Sequence, residues 1–155
     1  MIKLIWAMDK FNLIGKENKI PWHIKEDLVY FKEKTKGQTV LMGLNTYYSL
    51  KGYYKTRPLP YGKIYVASLD DVTLDDAEVV KDCVEFLKNF NDDIFVCGGA
   101  TIYKLSLPLA DMLYVSIIKG EYSGDAYFPT VDFSKYELVS RDDQERVTFD
   151  VYKRK

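Results

Sequence analysis

Asp27 is where the chemistry of this chain concentrates. It lies in the stretch LIGKENKIPWHIKEDLVYF, residues 13–31, on the apolar side of a predicted short helix and just past a loop ending in Pro21-Trp22. Carboxylates rarely enter apolar surroundings without a partner. A carboxylate held there needs a partner with two N–H donors, which a ligand can supply. The helix dipole alone would favour an acid in a first turn. Its helical neighbours His23 and Phe31 and the adjacent Leu28, however, give the helix an apolar face that a surface helix start does not need.

Two other places read strand, glycine, helix: Val40-Leu41-Met42-Gly43-Leu44-Asn45-Thr46 and Phe95-Val96-Cys97-Gly98-Gly99-Ala100-Thr101. A helix start offers free N–H groups and partial positive charge, and glycine lets a phosphate approach the backbone. Either glycine alone could simply turn the chain at a strand end. Two such ends side by side would hold a pyrophosphate, which is what a dinucleotide needs. Neither matches G-x-G-x-x-G, so an ordinary Rossmann fingerprint is excluded.

Strands are predicted over residues 2–8, 39–42, 63–67, 78–81, 94–97, 112–118, 137–140 and 147–153. Helices are predicted over 25–35, over 45–50, after Asp82 (carrying Val84, Leu87 and Phe90) and from Ala100 to about Leu107. Residues 51–60 read as an aromatic, basic loop. Residues 9–23, with Gly15, Asn18 and Pro21, form a long loop of the kind that is usually functional. Strands alternating with helices predict an α/β domain with a mixed, mostly parallel central sheet flanked by about four helices. The last third lacks helices, so antiparallel strands should close the sheet.

The 155 residues predict one domain, 1–155, and 47% hydrophobic content supports a proper core. A net charge of −1 without a basic block argues against nucleic acid. The apolar N-terminus is too short for a signal sequence, and no apolar run is long enough to span a bilayer. Cys83 and Cys97 read as free thiols of a reducing cytoplasm. One histidine cannot build a zinc site or, without a nucleophile motif, a hydrolytic triad.

The segment from Leu13-Ile14-Gly15 through Pro21-Trp22 and Asp27-Leu28 to Phe31, followed by the glycine pair in GGAT-x-Y, resembles the dihydrofolate reductase family, and the resemblance runs to the C-terminus. It implies reduction of 7,8-dihydrofolate to tetrahydrofolate with NADPH, in one-carbon metabolism, by a cytoplasmic monomer that antifolates inhibit. Asp27 would anchor the dihydropterin and promote protonation at N5, Trp22 would hold a water nearby, and Ser116 would support the acid. Ile5, Trp6, Ala7, Leu28, Phe31, Leu50, Cys97 and Tyr103 would surround the ring. Gly43, Leu44, Asn45, Thr46 and Ser68 would contact the cofactor, as would the run Cys97, Gly98, Gly99, Ala100, Thr101, Ile102 and Tyr103, with Ala7, Ile14, Gly15 and Ile20 at the nicotinamide. The Gly98-Gly99 peptide would be cis. Gly124-Asp125 would brace the loop carrying Ile14 and Ile20. A riboflavin-pathway reductase on the same fold is the rival, but it would not need the PWHIKEDL segment. A binding protein that kept the pocket is a second.

Two departures stand out. Arginines usual after each strand-end glycine are here Leu44 and Thr101, and the next strand ends Ser68-Leu69-Asp70-Asp71. The preference for NADPH should therefore be smaller than usual, with NADH open as a donor and Lys63 a candidate for the ribose phosphate. The arginine that follows Pro-Leu-Pro in the family is also missing, since Pro58-Leu59-Pro60 runs on as Tyr61-Gly62-Lys63. That leaves Lys63, Arg57 or Lys32 for the glutamate tail, and a lysine would lose the bidentate fork.

Overall fold

The computed structural model describes residues 1–17 and 19–155; Asn18, inside the predicted long loop, lies outside them. Among the described residues, ten strands and four α-helices follow one another. The strands are β1 (Ile2–Met8), β2 (Leu13–Gly15), β3 (Val40–Gly43), β4 (Ile64–Ala67), β5 (Glu78–Val80), β6 (Ile94–Val96), β7 (Met112–Ile118), β8 (Ala126–Tyr127), β9 (Tyr136–Asp143) and β10 (Val147–Arg154). The helices are α1 (Lys25–Thr35), α2 (Leu44–Tyr54), α3 (Cys83–Lys88) and α4 (Ala100–Ser106).

Eight strands form one sheet in the order β5-β4-β3-β6-β1-β7-β10-β9. The first six are parallel, and β10 runs antiparallel to both its neighbours, β7 and β9. The predicted architecture is the observed one. Its centre is the apolar run of β1, buried between β6 and β7. Alternation along β1 splits the core. Leu4, Trp6 and Met8 join Leu87 and Tyr103 on one face, whereas Ile5 joins Met42, Tyr47 and Cys97 on the other. The first face is covered by α3 and α4. The second carries Phe31, Leu50 and Tyr54 from α1 and α2.

Three sequence expectations need correction. The predicted loop from Lys51 is helical as far as Tyr54, because Gly52 weakens a helix without ending it. The helix stops at Lys55, which takes a positive φ of 57° just ahead of Arg57-Pro58. The 9–23 segment is not all loop: Leu13–Gly15 pairs antiparallel with Ala126–Tyr127. Strands of three and two residues give too little periodicity to read. Finally, β9 runs from Tyr136 to Asp143, longer than predicted, because its exposed outer edge carries polar residues that mask the pattern.

Candidate active site

Asp27 sits in the first turn of α1 and is only 6% exposed. Its helix starts without a side-chain cap. Opposite it lies Ser116 of β7, paired with Ala7 on one side and Phe149 on the other. Burial raises the Asp27 pKa, and the Ser116 hydroxyl and Trp22 indole pull it part of the way back. The Trp22 N–H is buried yet reaches no direct partner. Trp22 is fixed by Ile24, Ile118 and Phe149 and by an edge contact with Tyr122 at 5.3 Å.

Beside the acid, Tyr103 donates its hydroxyl to the Ile5 carbonyl at 2.7 Å. Its pKa is raised first by burial, then by the neighbouring Cys97, Asp27 and Tyr61. The buried Cys97 thiol is pushed well above its ordinary value, so it is no nucleophile. Ile5, Phe31, Leu50 and Cys97 share one apolar cluster. Leu28 (52% exposed) and Ile20 (50%) are open to solvent rather than part of this apolar cluster. Trp6 does not face this pocket. Its ring stacks on Phe128 at 3.8 Å across the sheet, so only its backbone is on the site's side.

The two glycine-led ends meet as expected. The Gly43 N–H donates to the Gly98 carbonyl at 2.7 Å. A Cβ on Gly43 would lie 3.2 Å from Ile102 Cγ1 and 3.7 Å from Gly98 O, and one on Gly99 would lie 3.5 Å from Thr46 Oγ1. The Gly98-Gly99 peptide is cis. Neither α2 nor α4 has a side-chain cap, so the first amides at Leu44, Asn45, Ala100 and Thr101 stay open to an anion. This cradle fits a pyrophosphate. Next to it, Ser68 donates its N–H to Val80 and accepts from the Asp70 N–H.

Lys63 belongs to neither end of the site. It precedes β4, at the edge opposite the cradle, and its ammonium lies 5.5 Å above the Tyr65 ring, which packs on Phe86 and Phe90 across the sheet. Sequence reasoning missed Lys81. It follows β5 and holds the loop after β4 through the carbonyls of Leu69 and Asp70 and the Asp71 carboxylate. The signal was a lysine at the end of the predicted strand 78–81, the strand that follows the one ending near Ser68.

Gly124-Asp125 touches the 9–23 segment as expected. Asp125 accepts from the Glu17 N–H through both oxygens, each at 3.2 Å, and its own N–H donates to Gly15. A Cβ on Gly124 would overlap the Gly15 carbonyl and approach Leu13 Cδ1 to 2.8 Å. Gly124→Val should therefore lower stability by about 1–3 kcal/mol and speed amide exchange at Glu17. Unchanged protection of that amide would show that the two segments are independent.

A doubly wound sheet with a phosphate cradle at its carboxyl edge and a buried acid beside it defines a dinucleotide-dependent oxidoreductase. The family model described as dihydrofolate reductase matches residues 1–154. The dihydrofolate reductase of Bacillus subtilis is 41% identical over 143 residues, 90% of this chain and 82% of that one. That of Mycoplasma pneumoniae is 39% identical over 146 residues, covering 90% and 89%. A solved dihydrofolate reductase of Enterococcus faecalis, complexed with NADP(H) and RAB-propyl, superposes with a TM-score of 0.85 at 30% identity, covering 99% of this chain and 96% of that one. The chain belongs to the dihydrofolate reductase family. No helix among the described residues is long and apolar enough to cross a membrane, and no cluster of metal-binding side chains occurs among them.

Proposed function

We propose that this protein reduces 7,8-dihydrofolate to 5,6,7,8-tetrahydrofolate with NADPH, feeding one-carbon metabolism. The observation that carries the reading is Asp27, buried between Ser116 and Trp22 beside a glycine-lined phosphate cradle. When bound, NADPH would supply the hydride for the pterin ring. The chain's residues do the rest. Asp27 accepts the two hydrogens of the pterin's amine edge and so favours a ring that takes a proton at N5. Ser116 steadies the carboxylate, and the Trp22 indole holds a water against it. Ile5, Ala7, Phe31 and Leu50 exclude bulk water, which strengthens these bonds. Leu28 and Ile20 close over the ring, while Ile14 and Gly15 carry the lid held by Asp125. Gly43, Asn45, Thr46, Gly98, Gly99 and Ala100 would hold the pyrophosphate, Ile102 and Tyr103 would contact the nicotinamide end, and Ser68 would contact the adenosine end. The protein works as a monomer in the cytoplasm, where Cys83 and Cys97 stay reduced, and antifolates compete with dihydrofolate.

Loss of nicotinamide absorbance on adding dihydrofolate tests the reading, run with NADPH and NADH in parallel. No turnover with either donor would overturn it. The preference for NADPH should be modest, because Leu44 and Thr101 stand where arginine forks would meet the 2′-phosphate. Lys81, at the end of the neighbouring strand β5, is already engaged with Asp71. Leu44 is half-buried against the core, so Thr101, which is exposed, is the cleaner site to change. Thr101→Arg should raise the NADPH-over-NADH ratio of kcat/KM by about tenfold, the value of one charge-assisted bond of ~1.5 kcal/mol. A strong wild-type preference that this arginine leaves unchanged would show that another group already grips the phosphate.

A further inference from the structure

A dihydrofolate molecule has three parts: a pterin, an aminobenzoyl ring and a glutamate bearing two carboxylates. The first two find matching surfaces here. Beyond Asp27, the apolar cluster continues outward through Phe31, Leu50, Tyr54, Leu59 and Tyr61. That surface suits an aromatic ring, and the guanidinium beside it, Arg57, is exposed rather than built into it. Position 62 cannot carry a cation: a Cβ there would lie 2.7 Å from the Gly37 carbonyl oxygen and 3.3 Å from its carbon. The backbone cannot retreat easily, because Gly62 donates to Gln38 and Gly37 donates to Pro60, each at 2.9 Å. Tyr61 turns inward instead, its hydroxyl held far from ionising by burial and by Cys97 and Tyr54. Lys63 points to the opposite face of the sheet. Arg57 lies over the Tyr54 ring, its guanidinium carbon 5.1 Å from the ring centre, with Nε donating to the Tyr54 carbonyl. Lys32 is an exposed point charge on α1.

We infer that Tyr61 and Gly62 make this site read its substrate through the pterin and the aromatic ring and not through the glutamate, so that 7,8-dihydropterins without a glutamate tail are substrates of nearly equal rank. The inference rests on the reductase reading above. Its chemical basis is that an exposed cation facing a flexible carboxylate contributes little in water. A bidentate guanidinium bond would instead give a preference well above tenfold.

The test is kcat/KM for dihydrofolate and for dihydropteroate, with the wild-type protein and saturating NADPH. The expected ratio is within about threefold and stays there between low and high salt, because no built ion pair is being screened. A dihydrofolate preference of tenfold or more, collapsing as salt rises, would overturn the inference while leaving the reductase reading intact. If neither substrate is reduced, the reductase reading fails and takes this inference with it. Tyr61→Phe separates packing from polarity: both substrates should keep the same ratio, and a selective loss of dihydrofolate would show that the hydroxyl reads the tail.

Discussion

Asp27→Asn is expected to lower kcat for dihydrofolate by about 10²–10⁴-fold, the usual worth of a positioned acid–base group. The amide still accepts one hydrogen bond, but it presents an NH₂ where the carboxylate offered a second acceptor, and it carries no charge to favour a protonated ring. The same substitution should leave the protein at least as stable as wild type at neutral pH. Burial raises the native pKa of Asp27 above its ordinary value of 3.8. The native state therefore binds more protons than the unfolded chain between those two values. Stability falls as pH rises through that window, and above it the buried charge carries its full cost. Asparagine has no such cost, so the variant's advantage should be largest at neutral pH and shrink as pH drops toward 4. Denaturant midpoints across pH, measured beside turnover, check both halves. Wild-type turnover in the variant would remove Asp27 from the chemistry. A loss of turnover accompanied by a large loss of stability at neutral pH would make it a structural residue instead.

What was legible in the sequence follows the strength of the local signal. The central strands are continuous apolar runs, so β1, β3, β6 and β7 could be placed to within a residue or so. The glycine-led helix starts were legible because a phosphate cradle needs a small residue at a fixed place. The pairing of Leu13–Gly15 with Ala126–Tyr127 was not, since two or three residues carry no period and the contact spans more than a hundred positions. The direction of Trp6 was also hidden. Alternation along β1 does place it opposite Ile5 and Ala7, but a run that is apolar on both faces does not say which face holds the pocket. Lys63 and Lys81 look equally basic in sequence. Only the edge of the sheet at which each stands, and the partners it holds, separate them.

Gly43→Val tests the cradle with the second largest expected effect. Gly43 has φ −77° and ψ 164°, extended backbone that a β-branched residue adopts readily, so no backbone strain complicates the result. The side chain is what matters. Its Cβ would start 3.2 Å from Ile102 Cγ1 and 3.7 Å from the Gly98 carbonyl and the Gly99 nitrogen. The Ile102 side chain can yield by a few tenths of an ångström, whereas the added methyls project into the space a phosphate must enter to reach the open amides of α2 and α4. Losing about two charge-assisted bonds, roughly 3 kcal/mol together, should raise KM for NADPH by about 10²-fold. Dihydrofolate binding to the cofactor-free protein, followed by tryptophan fluorescence, should change by less than about threefold, because Asp27 and Ser116 lie on α1 and β7 and do not touch this glycine. An unchanged KM for NADPH in a folded variant would place the dinucleotide somewhere else. An equal loss of dihydrofolate affinity would mean that the substitution had disturbed the whole carboxyl edge of the sheet rather than one end of one site.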